Sequence, residues 1–361
     1  MNSKILIITN HYLNRSPGQR FRFEQYLNYL RANGFDVDIS FLLDEKDDKI
    51  FYSSGKLFGK LKIVGKSILR RLADLKRASS YNIVFVFREA LFLGTPVFEK
   101  QFVKKTKLIF DFDDSIWLQN VSEANKMFSG LKDAGKTSKI IKQSSLVIAG
   151  NKYLAEYARR FNQHVVIIPT TIDTKEYYPR KKIQNDKVCI GWSGSATTIP
   201  HLKTQVAALR ILKKKYGEKV YFKIIGDAFF YDKELEVKGL AWEKKNEIEE
   251  LSEFDIGIMP LPDTEWAKGK CGLKGLQYMA LEIPTIMSPV GVNSEIICDG
   301  ENGFLATNTD DWVAKLSLLI DSGSLRNEIG KRGRQTVVDK YSVEANKNLY
   351  LKCFNSLLPK E

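Results

Sequence analysis

A basic, glycine-containing segment at residues 266–280 carries the side chains best suited to chemistry on a charged substrate. Its helical periodicity begins near Gly272, with Gly269 and Lys270 just ahead and Lys274 in the first turn. A helix N-terminus offers N–H groups and a partial positive charge, and glycine lets the backbone approach a ligand closely. With the two lysines added, the segment predicts an anion site suited to a diphosphate. The alternative is a solvated basic loop ahead of a core helix.

Small residues follow the strand predicted at 188–192 in the same half of the chain. Ser193, Gly194 and Ser195 stand at its carboxyl end, where a diphosphate could approach the edge of the domain. Gly291, two residues after Pro289, is expected to line the same pocket. An ordinary strand-to-helix turn would have the same composition, so both interpretations stay open.

Carboxylates end the strand predicted at 107–112 in the N-terminal half. Asp111, Asp113 and Asp114 are expected to face the interdomain cleft and to bind an acceptor hydroxyl, with Asp113 and Asp114 next to the reacting atoms. An Asp-x-Asp pattern can also hold a divalent ion, and Asp114 with Ser115 could cap a helix. We expect acceptor binding and no metal, because the lysines supply the positive charge.

Two further groups are acceptor-side candidates. Arg88 and Glu89 follow the strand predicted at 82–87, where a surface ion pair is the alternative. Gly18 belongs to a polar Gly/Pro loop after the first strand. Arg20 and Arg22 follow that loop and could contact acceptor phosphate groups.

The elements that must position these residues alternate between short apolar runs and helical periodicity, which is typical of α/β folds with parallel sheets. Residues 1–170 and residues 187–342 are each predicted to form a Rossmann-like domain. A polar stretch at 171–186 is interpreted as the linker. A last helix at 343–361 is expected to pack back on the first domain.

Composition supports this organisation and bounds the partners. The chain has 361 residues, of which 43% are hydrophobic and 27% charged, as in ordinary globular proteins. Its 56 lysines and arginines exceed its 43 acidic residues by 13, which favours anionic partners. The four cysteines are far apart and the three histidines form no ligand pattern, which argues against a disulfide framework or a transition-metal centre.

Missing motifs exclude several enzyme classes. Neither opening strand is followed by G-x-G-x-x-G, and the chain has no G-x-S-x-G elbow. Dinucleotide-dependent dehydrogenases and α/β-hydrolases therefore lose their usual signatures.

The segment 266–280 resembles the donor-binding end of the family-four retaining glycosyltransferases, whose GT-B fold has two facing Rossmann-like domains. The resemblance covers most of 187–341 and is looser in the N-terminal half. The runs that carry it are Ile-Gly-Trp-Ser-Gly-Ser at 190–195, Phe-Lys-Ile-Ile-Gly at 222–226, Phe-Asp-Ile-Gly-Ile-Met-Pro-Leu at 254–261, Leu-Gln-Tyr-Met-Ala at 276–280, Glu-Asn-Gly-Phe at 301–304, Phe-Arg-Glu-Ala at 87–90, Phe-Asp-Phe-Asp-Asp-Ser-Ile-Trp at 110–117 and Ala-Gly-Asn at 149–151.

The resemblance implies a nucleotide-diphosphate sugar as co-substrate, no cofactor, a glycan or lipid-linked acceptor, and retention of anomeric configuration. It adds Gly226, Gly269, Gly272 and Gln277 to the donor site. The chain is a variant branch, because Gly269 and Gln277 stand where the family commonly has paired glutamates. Gln277 can hydrogen-bond ribose hydroxyls. Lys270 and Lys274 are taken to hold phosphate and to be catalytic, because they would stabilise the charge of the leaving diphosphate. The resemblance also implies that residues 1–170 bind the acceptor and residues 187–342 bind the nucleotide sugar.

A basic segment at residues 56–77 has apolar residues at helical spacing, namely Leu57, Leu61, Val64, Ile68, Leu72 and Leu75. Such a helix can lie on an anionic membrane surface. A core-packed helix with a solvated basic face is the alternative. We expect a cytoplasmic protein, peripheral on the inner face of the membrane if this helix binds lipid.

Two rival functions remain open. A nucleotide-sugar epimerase would use the same fold without an acceptor. A nucleic-acid-binding protein would explain the positive charge, but the basic runs lack the interleaved aromatic residues of stacking platforms, so we expect no nucleic-acid partner.

Overall fold

The computed structural model describes residues 3–53, 55–92, 94–118, 133, 135–180 and 186–359. The chain divides into two compact units. Unit 1 comprises Met1–Thr170 and Asn346–Glu361, and unit 2 comprises Thr171–Ala345. Each unit is built around its own parallel sheet, as the α/β pattern predicts.

The sheet of unit 1 has the strand order β2-β1-β3-β4-β5-β6, with every neighbouring pair parallel. The strands are β1 (Ser3–His11), β2 (Phe35–Leu43), β3 (Ile83–Phe87), β4 (Lys107–Phe112), β5 (Leu146–Ala149) and β6 (Val165–Ile167). Every residue of β3 and β5 is buried. Continuous apolar runs of this kind suit strands that helices cover on both faces.

The helices of unit 1 are α1 (Pro17–Arg20), α2 (Leu27–Ala32), α3 (Glu45–Phe51), α4 (Leu57–Arg77), α5 (Val97–Val103), α6 (Lys136–Gln143) and α7 (Lys152–Arg159). Asn151 begins α7 as its N-cap, accepting a hydrogen bond from Leu154 N. The basic segment predicted at 56–77 is therefore one helix, α4. Among the residues that the structure describes, no helix is long and apolar enough to cross a membrane.

The sheet of unit 2 has the order β13-β12-β11-β7-β8 and is also parallel. Its strands are β7 (Val188–Ser193), β8 (Val220–Ile225), β11 (Ile256–Met259), β12 (Thr285–Met287) and β13 (Phe304–Leu305), and a separate hairpin joins β9 (Tyr231–Asp232) to β10 (Val237–Lys238). Trp192 and Trp312 are fully buried in its core.

The helices that begin in unit 2 are α8 (Ile199–Lys203), α9 (Val206–Tyr216), α10 (Glu247–Ser252), α11 (Glu265–Lys268), α12 (Leu273–Ala280), α13 (Asn293–Ile296), α14 (Thr309–Asp321), α15 (Gly323–Thr336) and α16 (Val343–Asn355). The helix predicted near Gly272 is α12. It follows β11 and precedes β12, which places its first turn at the carboxyl end of the sheet.

Residues 171–180 differ from the predicted linker, because they pack within unit 2. Ile172 N donates a hydrogen bond of 2.8 Å to Tyr341 O, and Tyr177 is fully buried. Arg334 donates to the carbonyl oxygen of Tyr177 at 3.0 Å. The rest of the predicted linker, apart from residue 186, lies outside the described residues.

The C-terminal helix returns to unit 1, as predicted. The chain passes into that unit within α16, at Asn346. Tyr350 stacks on Tyr26 with ring centroids 4.4 Å apart, and Phe354 stacks on Phe85 at 5.9 Å. Large aromatic contacts of this kind fasten the helix to the sheet of unit 1.

Candidate functional site

The first turn of α12 brings a lysine to the end of β7. Gly272 is left-handed, with φ of 72°, and the helix begins at the next residue. Lys274 Nζ lies 4.6 Å from the centroid of the Trp192 ring and donates a hydrogen bond of 3.3 Å to Thr198 Oγ1. One of the two lysines predicted to hold phosphate therefore contacts both β7 and the turn that follows it.

The second lysine belongs to the short turn between α11 and α12. Lys270 Nζ lies 5.1 Å from the centroid of the Trp266 ring, close enough for a cation–π interaction. Both lysines are half-buried. The segment therefore holds two ammonium groups close to the start of one helix.

The titration behaviour of this cluster reflects its concentrated positive charge. Burial and the neighbouring Lys270 ammonium lower the pKa of Lys274 from 10.5 to about 7. Burial, Lys274 and Lys270 lower the pKa of His201 from 6.5 to about 4. Both shifts disfavour the charged forms, and a bound anion would reverse this effect. The arrangement is suited to binding a phosphate group.

Binding of a diphosphate diester should weaken as the pH rises above the pKa of Lys274. The bound anion favours the ammonium form, so Lys274 keeps its proton to a higher pH in the complex. We expect the affinity for a nucleotide sugar to fall by up to about tenfold per pH unit between about pH 7.5 and 9. Calorimetry at several pH values measures this directly, and proton uptake on binding should accompany it.

The matched control for this pH dependence is Lys274→Arg, because a guanidinium stays charged throughout the range. Its binding curve should be flat. An affinity of the unsubstituted protein that does not change from pH 7 to 9 would contradict the lowered pKa.

The stability of the unliganded protein should show the opposite trend and rise with pH. The unfolded chain holds more protons on Lys274 than the folded one between pH 7 and 10.5, so this group adds stability as the pH rises.

The predicted donor-site glycines lie where backbone segments approach closely. A Cβ at Gly226 would overlap the carbonyl oxygen of Gly194, and φ at Gly226 is +118°. A Cβ at Gly291 would lie 2.6 Å from Lys268 O, with φ at +56°. Packing alone therefore requires these glycines, and their contact with a donor stays a prediction. Gly269 is the residue that ends α11.

Gln277 lies in a buried polar network that the sequence does not reveal. Its Nε2 donates to Glu247 Oε1 and to Tyr177 Oη, both at 3.3 Å. Tyr177 Oη donates to Glu247 Oε2 at 2.6 Å, and Trp242 Nε1 donates to Glu247 Oε1 at 2.9 Å. The amide of Gln277 thus donates a hydrogen bond to the buried carboxylate of Glu247. A carboxylate at this position would repel Glu247 instead.

The small residues after β7 have different environments. Ser193 is buried, and its backbone N and its Oγ both lie 2.8 Å from Tyr278 Oη. Ser195 is exposed and caps the next turn through a reciprocal pair of bonds with Thr198. Of the two serines, Ser195 is therefore the one open to a ligand, while Ser193 joins β7 to α12.

In unit 1, the ends of β3 and β4 bring several predicted acceptor residues together. Arg88 Nε donates to Asp113 Oδ1 at 2.7 Å, and Arg88 Nη2 lies 4.0 Å from Asp114 Oδ2. Gly18 abuts this pair, since a Cβ there would lie 3.0 Å from Asp113 Oδ2. Arg88 itself has φ of 62°. Such strain in a residue other than glycine tends to be retained at functional sites.

The environment of Asp111 contradicts the prediction that this residue binds the acceptor. It is fully buried and forms an ion pair of 2.6 Å with Arg22 Nη2, and Arg22 also donates to Ile168 O. Tyr350 Oη donates to Asp111 Oδ2 at 3.3 Å. Burial raises the pKa of Asp111, although Arg22 opposes this. Both faces of β4 are covered, since Phe110 and Phe112 are fully buried as well as Asp111.

Two other acceptor-side candidates have partners within unit 1. Arg20 is buried and lies against the Phe21 ring at 4.9 Å, which removes most of it from solvent. Glu89 accepts a hydrogen bond of 2.9 Å from Lys136 Nζ. The alternative for Arg88 and Glu89 was a surface ion pair. Each instead forms an ion pair with another residue, Arg88 with Asp113 and Glu89 with Lys136.

A polar cluster at the end of β1 was not predicted from the sequence. His11 Nε2 lies 2.9 Å from Tyr52 Oη, and Arg15 Nε donates to Asp48 Oδ2 at 2.7 Å. Burial is the main cause that lowers the pKa of His11 from 6.5 to about 4. Only the position of His11 at the end of an apolar strand could have indicated it. Gln19 joins the cluster by donating to His11 O at 3.0 Å.

The Asp-x-Asp motif has arginine partners. Asp111 pairs with Arg22 and Asp113 with Arg88, so both carboxylates already face a positive charge. Within the part of the chain that the structure describes, no group of three or more His, Cys, Asp or Glu side chains is arranged to hold a metal ion.

Comparison with known proteins shows what the chain resembles. Residues 173–336, which include both lysines, match the family model described as "Glycosyl transferases group 1". A poly(ribitol-phosphate) alpha-N-acetylglucosaminyltransferase of Staphylococcus aureus (strain COL) is 30% identical over 88 residues. That match spans 24% of this chain and only 18% of the relative's length.

Solved structures are similar over nearly the whole chain. Sucrose-phosphate synthase from Thermosynechococcus elongatus superposes with a TM-score of 0.71 at 15% identity, covering 98% of this chain and 99% of that one. Anabaena HepE, solved in complex with UDP and glucose, gives a TM-score of 0.67 at 14% identity, covering 98% and 100%. At these identities the likeness shows the fold. Residues 173–336 therefore match the model of the glycosyl transferases group 1 family, in a chain that has the GT-B fold.

Proposed function

We propose that the protein transfers a sugar from a nucleotide-diphosphate sugar to a hydroxyl of a cell-surface glycan or lipid-linked acceptor. The observation that carries the proposal is the pair Lys270 and Lys274 at the start of α12, inside the segment that matches the family model. Two ammonium groups and a helix N-terminus together suit a diphosphate better than a single phosphate.

The chemistry asked of this cluster is stabilisation of the leaving group. Transfer breaks the bond between the anomeric carbon and the diphosphate, and negative charge grows on the departing oxygen. In this proposal, Lys270, Lys274 and the first N–H groups of α12 stabilise that charge. Preorganised donors of this kind stabilise the transition state more than the bound substrate. No cofactor enters the proposal.

On the acceptor side, we assign Arg88, Asp113 and Asp114 in unit 1. The short Arg88–Asp113 contact orients one carboxylate, and the left-handed backbone of Arg88 holds the pair at the end of β3. A carboxylate can accept a hydrogen bond from a sugar hydroxyl and take its proton as the new bond forms. The names of the similar proteins, one acting on poly(ribitol phosphate) and one bound to UDP and glucose, support this donor and acceptor class.

A screen of nucleotide sugars by thermal stabilisation tests the donor. A ligand at about 100 times its Kd adds about 2.7 kcal/mol to the free energy of unfolding, which raises the melting temperature measurably. We expect one UDP-, GDP- or ADP-sugar to stabilise the protein and Lys270→Ala to reduce the shift. The absence of stabilisation by any nucleotide sugar would contradict the proposal.

The product then distinguishes the reaction classes. Transfer to an added glycan or lipid-linked acceptor, with the anomeric configuration of the donor retained in the NMR spectrum of the product, is the expected result. Inversion at the anomeric carbon would reject the retaining mechanism alone. Conversion of the donor into its epimer without any acceptor would favour the epimerase and reject transfer.

A further inference from the structure

Helix α4 presents its apolar side to solvent and its polar side to the protein. Phe58 is 88% exposed and Leu69 is 69% exposed. Other large apolar residues on the same side are exposed as well, namely Leu57, Leu61, Ile68 and Leu72. Monomeric proteins rarely leave so many large apolar side chains together in water, and such patches mark interaction surfaces.

The buried side of α4 explains this orientation. Arg71 is fully buried and donates to Asp74 Oδ2 at 2.8 Å, to Thr9 O at 2.7 Å and to Ala90 O at 2.6 Å. Ser40 Oγ donates to Asp74 Oδ2 at 2.6 Å. These bonds fix the rotation of the helix, because turning the apolar side inward would leave a buried charge pair without its partners.

The charges around the apolar side select an anionic surface. Lys56, Lys62 and Lys76 are exposed along α4 or directly before it. Asp74 is the only acidic residue at 56–77, and it faces the protein. An exposed apolar strip flanked by lysines is the pattern of helices that lie in a membrane interface, with apolar side chains among the acyl chains and ammonium groups at the phosphates.

We infer that α4 docks the protein on an anionic phospholipid bilayer, with Phe58, Leu61 and Leu69 inserted at the boundary between headgroups and acyl chains. This surface lies within unit 1 and does not depend on the proposed transfer reaction. The core-packed interpretation of the 56–77 segment is wrong for this side of α4, because Phe58, Leu61 and Leu69 are at least half exposed.

Co-sedimentation of the full-length protein with phospholipid vesicles tests the inference. We expect binding to vesicles of equal parts phosphatidylcholine and phosphatidylglycerol, weaker binding to phosphatidylcholine alone, and a loss of affinity as salt rises. Replacing Phe58, Leu61 and Leu69 with Gln keeps helix propensity while removing the inserted side chains. This variant should bind about 30-fold more weakly or worse.

A charge variant separates the electrostatic contribution. Each lysine near an anionic surface contributes about fivefold in affinity, so Lys62→Glu with Lys76→Glu should weaken binding by about 25-fold or more. Lys60 and Arg71 are unsuitable for this test because both are buried.

The matched controls for both variants lie in unit 2. Phe229→Gln removes a residue that is 97% exposed, and Lys214→Glu with Lys238→Glu makes the same change of charge.

The controls should bind vesicles as the unsubstituted protein does. Equal binding by the Gln variant, or no binding of the unsubstituted protein to the anionic vesicles at low salt, would overturn the inference. A dimer that dissociates on the Gln substitutions, without any binding to vesicles, would also overturn it and assign the surface to self-association. Circular dichroism and the melting temperature show whether each variant is folded.

Discussion

Replacing Lys270 with alanine should lower the turnover of the nucleotide sugar by about 10²–10³-fold, the loss typical of removing one donor from a developing anion. The Lys270 ammonium is held over the Trp266 ring, 5.1 Å from its centroid, so it is positioned before the donor binds. In the proposed reaction, the contact between Lys270 and the diphosphate strengthens as the diphosphate leaves. Donor affinity should fall less than turnover, because Lys274 and the N-terminus of α12 remain.

Lys268 provides the matched control two residues away. Its Nζ pairs with Glu265 Oε1 at 2.8 Å, so its charge already has a local partner. Lys268→Ala should leave turnover within about twofold of the unsubstituted enzyme, since an exposed ion pair of this kind contributes little. Lys270→Arg should recover part of the lost rate. Steady-state kinetics that give Lys270→Ala the unsubstituted turnover would reject the assignment of this lysine to the diphosphate.

Removing the carboxylate of Asp111 should reduce the free energy of unfolding by about 3–5 kcal/mol, because it leaves the Arg22 guanidinium buried without its counter-ion. Both side chains are fully buried and meet at 2.6 Å. Arg22→Met should cost a similar amount for the reciprocal reason. Urea denaturation of Asp111→Ala, followed by a spectroscopic signal from unit 1, measures the loss.

Two further variants show that the ion pair itself is responsible. Tyr350→Phe removes only the hydrogen bond to Asp111 and should cost about 0.5–1.5 kcal/mol. The double variant Arg22→Met, Asp111→Leu should be more stable than either single variant, since neither charge then remains buried alone. A single-variant loss below about 1 kcal/mol would contradict the structural role and reopen the acceptor role.

Much of the architecture follows from local patterns. Strands such as β3 and β5 are short apolar runs between polar turns, and such runs become buried parallel strands whichever neighbours they find. The position of α12 was likewise readable, because Gly272 and a basic turn precede a helical periodicity. The return of α16 to unit 1 required the family resemblance as well as its own apolar residues.

The tertiary structure alone decided which polar groups are buried. Arg22 and Asp111 are 89 residues apart in the sequence, and no spacing reveals that they meet. Gln277 and Glu247 are 30 apart, and their contact explains why an amide suits this position. Pairing of this kind depends on which strands become neighbours in a sheet, and this cannot be read from the period of any one element.

Helix α4 shows most clearly what the sequence does not determine. Its sequence defines an apolar side and a basic side, and the usual expectation is that leucines face the core. The structure reverses this, because Arg71 and Asp74 have bonding partners on β1, β2 and the turn after β3, while Phe58 and Leu69 remain exposed. The sequence thus determined that the helix is two-sided. The partners supplied by distant strands determined which side faces water, because a buried charge pair is stable only where its hydrogen bonds are completed.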